Sequence, residues 1–82
     1  MDNSSEAQRE MTFGEKAVGL SFNPSKDDDV TFFKETYAQV IDTLNDLRNK
    51  TVDPEVKRLT SVAITEAQTA QMWAVKAATW GL

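Results

Sequence analysis

Asn49-Lys50-Thr51-Val52-Asp53-Pro54-Glu55 joins two long amphipathic patterns with almost no spare chain between them. Asp53 is a good N-cap and Pro54 suits the first position of a helix. Upstream, Val30, Phe33, Tyr37, Val40, Ile41, Leu44 and Leu47 recur at steps of three and four. That spacing predicts a helix from Ser25 or Asp27 to about Asn49 or Lys50. Asp27, Asp28 and Asp29 fall at its start, where negative charge meets the positive end of the helix dipole. Downstream, Val56, Leu59, Ala63, Ala67, Ala70, Trp73, Ala77 and Trp80 form a second stripe closed by Gly81. Each helix is about 22–26 residues, roughly 33–39 Å at the usual rise per residue. So short a connector makes the two helices antiparallel neighbours. The expected fold is all-α, an antiparallel helical hairpin with a short N-terminal helix, assembling into a multimeric helical bundle.

Working outward, Glu6 to Val18 carries helix-compatible residues interrupted by Gly14 and closed by Gly19. A short, kinked or irregular helix is expected there, because glycine in a helix interior costs about 1 kcal/mol relative to alanine. Gly19 to Ser25 reads as an ordered loop, extended around Asn23 because Pro24 disfavours α-conformation before it. That loop directs one aromatic, Phe22. Residues 1–13 form a flexible or short helical segment and residues 14–82 the hairpin domain. The second long helix also carries Ile64, Gln68, Met72, Val75 and Thr79 beside many alanines. A two-helix hairpin covers one face of each helix, so this further stripe stays open in a lone subunit. Either the N-terminal segment covers it or copies of the chain associate through it, and association is the expectation.

Composition narrows the chemistry. The chain has 82 residues, no cysteine and no histidine. It is one domain at most, without a disulfide framework or thiolate metal site. The commonest general base and transition-metal ligand is missing too. Glu35, Asp42 and Glu66 are scattered rather than paired for acid–base work. No catalytic residue, metal site or cofactor is therefore expected, and the protein is read as a non-enzyme. No run of about 18 apolar residues suits a membrane span. The polar, acidic start lacks the features of a secretory signal, so a cytosolic protein is expected. Thirteen acidic residues outweigh nine basic ones, for a net charge of −4. That balance disfavours DNA and RNA, which demand a basic face, yet leaves room for a small anionic ligand.

Hairpin register places Phe22 near Trp80 and Lys26 near Lys76, with Tyr37 facing Glu66 and Arg48 near Glu55. One end thus collects Phe22, Lys26, Lys76 and Trp80, and the other Arg48, Lys50, Lys57 and Arg58. Head-to-tail packing of two hairpins brings an aromatic end against a basic end. Such a juxtaposition suits a nucleotide, whose base stacks on a ring and whose phosphates take cationic groups. The candidate ligand-binding residues are Phe22, Asn23, Lys26, Lys34, Lys57, Arg58 and Lys76. Plainer readings stand beside them. Phe22 also serves as a hydrophobic plug, and the lysines also read as solvated surface charge. Lys57 and Arg58 sit near a helix start, where cations oppose the dipole. Trp73 and Trp80 fit a core or an interface better than a stacking platform.

The run Gly14-Glu15-Lys16-Ala17-Val18-Gly19-Leu20-Ser21-Phe22-Asn23-Pro24-Ser25, then a helix, Asp53-Pro54, and Ala63-Ile64-Thr65-Glu66-Ala67-Gln68-Thr69-Ala70-Gln71-Met72-Trp73-Ala74 resembles the helical hairpin domain of bacteriophage anti-CBASS/anti-Thoeris sponge proteins. The resemblance spans about Gly14 to Trp80. It implies a phage immune-evasion protein that binds cyclic di- or trinucleotide or cyclic ADP-ribose signals of bacterial defence without cleaving them. It also implies hexamers built from dimers, pockets between protomers, and action in the cytoplasm of the infected host. Phe22 occupies the place of a base-stacking aromatic of some relatives, without a hydroxyl. Tyr37 stands where relatives carry a phosphate-contacting lysine, with Lys34 one turn earlier. Arg58 is the arginine available on the second helix. The alternative function is a helical protein-interaction module without a small-molecule ligand.

Overall fold

The computed structural model describes residues 9–82. These form three helices and no strand: α1 (Phe13–Val18), α2 (Asp28–Lys50) and α3 (Pro54–Ala78). Each start is dictated by a side-chain cap. Asp27 accepts the Asp29 N–H at 2.8 Å, and Asp53 accepts the Glu55 N–H at 2.9 Å with Pro54 following. Both long helices therefore begin where the capping residues foretell. α3 ends at Ala78 with Thr79 as its cap, not at Gly81 as expected from glycine's usual place past a helix end.

The N-terminal helix is shorter than the stretch from Glu6 suggests. Thr12 and Glu15 form a reciprocal capping box, each side chain bonding the other's backbone N–H at 3.0 and 2.9 Å. The chain at Arg9 to Met11 is accordingly outside the helix, and Glu6 to Gln8 lie outside the described residues. Gly14 does not kink α1. It sits where a Cβ would lie 2.1 Å from the Ala38 carbonyl oxygen, so glycine there permits helix-to-helix contact. Its N–H donates to Asp42 Oδ1 at 2.7 Å. Gly19 ends α1 in the left-handed region at φ 64°, which favours glycine.

α1 runs back along α2, and α3 returns along α2 and also touches α1, where Gln68 Nε2 donates to the Ala17 carbonyl at 3.4 Å. Lys57 Nζ donates to the Arg48 carbonyl and Arg48 Nη1 to Ser61 Oγ, both at 3.0 Å. Arg48 thus opposes Lys57 and Ser61 rather than Glu55, which pairs with Arg58 at 2.6 Å. The core is small: Val18, Ala38, Ile41 and Ile64, with Ala17, Leu20, Tyr37, Leu44 and Ala67 packed around it. Ile41 is fully enclosed, which contributes about 1.5–3 kcal/mol for a side chain of its kind.

The stripe expected to face inward on α3 is displaced. Thr60, Ile64 and Gln71 are the buried residues of that helix, while Leu59, Trp73 and Ala77 are exposed. Thr60 tolerates burial because its hydroxyl is satisfied by the Val56 and Lys57 carbonyls of its own helix, at 2.8 and 3.0 Å. Ile64, assigned to the open stripe, is core. Val40 and Leu47 of α2 are likewise exposed.

Candidate functional site

Between α1 and α2 the chain makes two consecutive turns, not the extended stretch predicted. The Phe22 N–H donates to the Gly19 carbonyl at 2.9 Å and the Lys26 N–H to the Asn23 carbonyl at 3.1 Å. Lys26 adopts φ 58° at the end of the second turn. Asn23 organises this loop. Its Nδ2 donates to the Asp27 carbonyl and Thr31 Oγ1, both at 3.0 Å, while its Oδ1 accepts from Ser25 Oγ at 2.8 Å and the Lys26 N–H at 3.0 Å. An asparagine amide offers two donors and two acceptor positions, and all four are taken by the loop and the first turn of α2.

Lys34, one turn beyond Val30 on α2, reaches back under the same loop and is only 6% exposed. Its ammonium donates to the Gly19 carbonyl at 3.0 Å and to the Phe22 carbonyl. It also lies 5.5 Å from the Phe22 ring centroid, in cation–π range. Among the described residues no carboxylate is within ion-pair distance of it. Burial without a counter-charge pushes its pKa below the usual lysine range. An ammonium has three N–H donors, so one remains beyond the two carbonyls.

These residues border a cavity of about 340 Å³, floored by buried Val30, with Phe22, Asn23, Pro24, Ser25 and Lys34 on the loop side and Val75, Thr79 and Leu82 opposite. Its size is at the lower end of small-molecule pockets. Phe22 is 70% exposed at the rim. The chain beyond α3 contributes because the Leu82 N–H donates to the Thr79 carbonyl at 3.1 Å, turning Leu82 back toward the loop. The cavity therefore combines an open aromatic face, a desolvated cation and apolar walls.

Phe22, Asn23 and Lys34 thus converge, while the other candidates lie apart. Lys26 follows the loop with an exposed side chain. Trp80, 79% exposed, is not among the residues bordering the cavity. Lys76 lies 5.5 Å from the Trp73 ring, over a second, shallower depression shared with Thr69 and Met72. Lys57 and Arg58 sit at the other end, one bonded to the Arg48 carbonyl and the other to Glu55. The loop lies by the end of α3, as hairpin register predicts, but the facing wall is Val75, Thr79 and Leu82, which register does not single out. Thr79 and Val75 carry the signal, being one turn apart and opposite the Pro24 turn.

Glu35 and Asp42, read as scattered, share a polar depression with Glu15. Asp42 holds the Gly14 N–H and Glu15 binds Arg9 and Thr12, so two of the three carboxylates hold α1 in place. The Arg9 and Thr12 bonds keep Glu15 below the usual carboxylate range. Among the described residues no cluster of potential ligands fits a metal ion, and no helix is long and apolar enough to cross a membrane.

Residues 15–79 match the family model of the Acb2/Tad1 hairpin domain. No curated protein and no solved structure matches the chain.

Proposed function

The chain belongs to the Acb2/Tad1 hairpin family, phage sponge-type binding proteins that sequester cyclic nucleotides, and we propose from that premise that it captures an intact cyclic di- or trinucleotide or a cyclic ADP-ribose isomer made by bacterial defence. The observation that carries this reading is the loop cavity, where the exposed Phe22 ring stands beside the buried Lys34 ammonium. A base stacks on the ring, and a phosphate faces a cation that has no carboxylate partner among the described residues. Asn23 shapes the loop, since its hydrogen-bonding positions are already occupied.

The cavity of one subunit accommodates part of a cyclic oligonucleotide rather than all of it. In our reading a second copy supplies the rest, bringing Lys57, Arg58 or Lys76 toward the ring end. Among the described residues twelve large hydrophobics stay exposed, against five buried hydrophobic residues in the core, and in this reading association into a dimer-based hexamer covers many of them. The host cytoplasm, where such signals are made, is the proposed location.

Sequestration works by mass action: a nanomolar Kd corresponds to about −12 kcal/mol, and turnover contributes nothing. Purified protein is incubated with cyclic dinucleotides, cyclic trinucleotides and cyclic ADP-ribose isomers, washed, and heated to release what it holds. Recovery of the unchanged ring is expected; recovery of linear products means an enzyme. Exposed Met72, Trp73 and Trp80 also fit a module that binds another protein. Calorimetry showing no uptake of any cyclic nucleotide, together with a defined complex with another protein, favours that second reading.

A further inference from the structure

Phe22 is an exposed ring with little around it to hold it. At 70% exposure its orientation is not set by packing, and an aromatic free to turn loses rotamer freedom on binding a ligand. What restrains it comes from beneath. Lys34 Nζ bonds the carbonyl of Phe22 itself and that of Gly19, and lies 5.5 Å from the ring centroid. The Gly19 carbonyl also accepts the Phe22 N–H at 2.9 Å, so the ammonium closes both ends of one turn. A lysine is an expensive way to fill such a space. Burying a cation away from carboxylates is unfavourable, and methionine of similar length would occupy the volume without that penalty.

We infer that Lys34 is a positioning residue, whose ammonium clasps the Gly19 and Phe22 carbonyls and fixes the direction in which the Phe22 ring is presented to a ligand. The inference rests on the reading of Phe22 as the stacking ring, but the clasp itself is present without ligand. Asn23 holds the other side of the loop through Asp27, Thr31, Ser25 and Lys26. Phe22 is thereby caught between a side-chain amide that ties the loop to the start of α2 and a cation that ties it to the helix interior. This arrangement presets the ring before encounter.

The test separates the clasp from the ligand. The protein is labelled with 4-fluorophenylalanine at its four phenylalanines, and Phe22→Leu assigns the resonance by fluorine NMR. In Lys34→Met the Phe22 signal is expected to shift to the position of a freely turning exposed ring, while the other three stay in place. A Phe22 signal that does not move in Lys34→Met overturns the inference, whatever the protein binds. Circular dichroism checks that the variant is folded, and Lys34→Gln, which keeps a donor but not the charge, replaces it if it is not.

The second arm is a double-mutant cycle with Phe22→Ala, using a cyclic dinucleotide, a cyclic trinucleotide and cyclic ADP-ribose as probes. Lys34→Met is expected to weaken binding on the order of tenfold in the native background, and by clearly less once Phe22 is gone, as for residues that act in part through one another. Losses that simply multiply mean that Lys34 acts on the ligand through its charge alone and overturn the positioning role. If the native protein takes up none of the probes, the proposed function fails, and the fluorine signal still decides the clasp.

Discussion

A Cβ on Gly14 would meet the Ala38 carbonyl at 2.1 Å, with the Ala38 carbonyl carbon and Asp42 Oδ1 each at 2.9 Å. The obstacle is backbone, so no rotamer change relieves it. Gly14→Ala is expected to push α1 off α2 and lower stability by about 1–3 kcal/mol, the usual cost of overpacking, despite alanine's better helix propensity. Urea unfolding checks this, and a more stable variant contradicts the close approach. Lys34 gives a second prediction. Its pKa is lowered in the folded state by burial, so between that lowered value and the ordinary lysine range the unfolded chain binds more protons. Stability then rises with pH across that window. Measured against Lys34→Met, which lacks the titrating group, the native protein gains stability as pH rises toward the lysine range; a difference that stays flat or falls refutes the burial of an unpaired ammonium. Both residues show where sequence falls short. Glycine signals a loose helix and a tight contact with the same letter. A lysine amid polar neighbours looks solvated until the fold shows the loop that closes over it.

Elements were far more legible. Asp27, Asp53 and Pro54 mark helix starts by local chemistry, since caps act within a turn and need no tertiary information. Asp53→Ala is accordingly expected to cost about 1 kcal/mol and to be rescued by Asp53→Ser; thermal melts of the three proteins measure it, and an unchanged midpoint in the alanine variant argues against the cap. The facing of α3 was less legible. Its apolar residues and alanines surround the helix, so hydrophobicity alone leaves the buried stripe open to rotation. The fold settles it: Thr60, Ile64 and Gln71 are buried, Ala67 packs against the core, and Gln68 Nε2 donates to the Ala17 carbonyl at 3.4 Å. The loop is not extended as a whole because the proline rule concerns Asn23 alone, whereas a backbone bond closes the first turn and the Asn23 side chain braces the second through four hydrogen bonds.

At the scale of the molecule, the three helices of the described residues lie nearly in one layer, about 12 Å thick between Cα extremes. A single layer has two broad faces and too little chain to cover both. Met72 and Trp73 on α3, with Leu59 and Val62 toward its start, are 47–65% exposed. Trp73→Glu is expected to lower the mass measured by light scattering while leaving helicity intact; a native protein that already runs as one subunit, or a variant of unchanged mass, excludes this face as an interface. The all-helical hairpin was readable from periodicity and connector length, and the cavity was readable in part, because register places the loop by the end of α3. The exposed apolar face of α3 was readable only as surplus hydrophobicity.

The lone ammonium beneath the loop has a kinetic corollary. The chain carries a net charge of −4, so an approaching polyanion is first repelled, and only near the cavity does one cation act on it at close range. Salt screens the distant repulsion beyond about 10 Å at 0.1 M and leaves an enclosed charge largely unscreened. Encounter therefore quickens as dilute buffer is brought to physiological ionic strength, the reverse of what electrostatic steering produces in basic phosphate-binding proteins. Stopped-flow association rates that fall with added salt would place the attraction elsewhere on the surface.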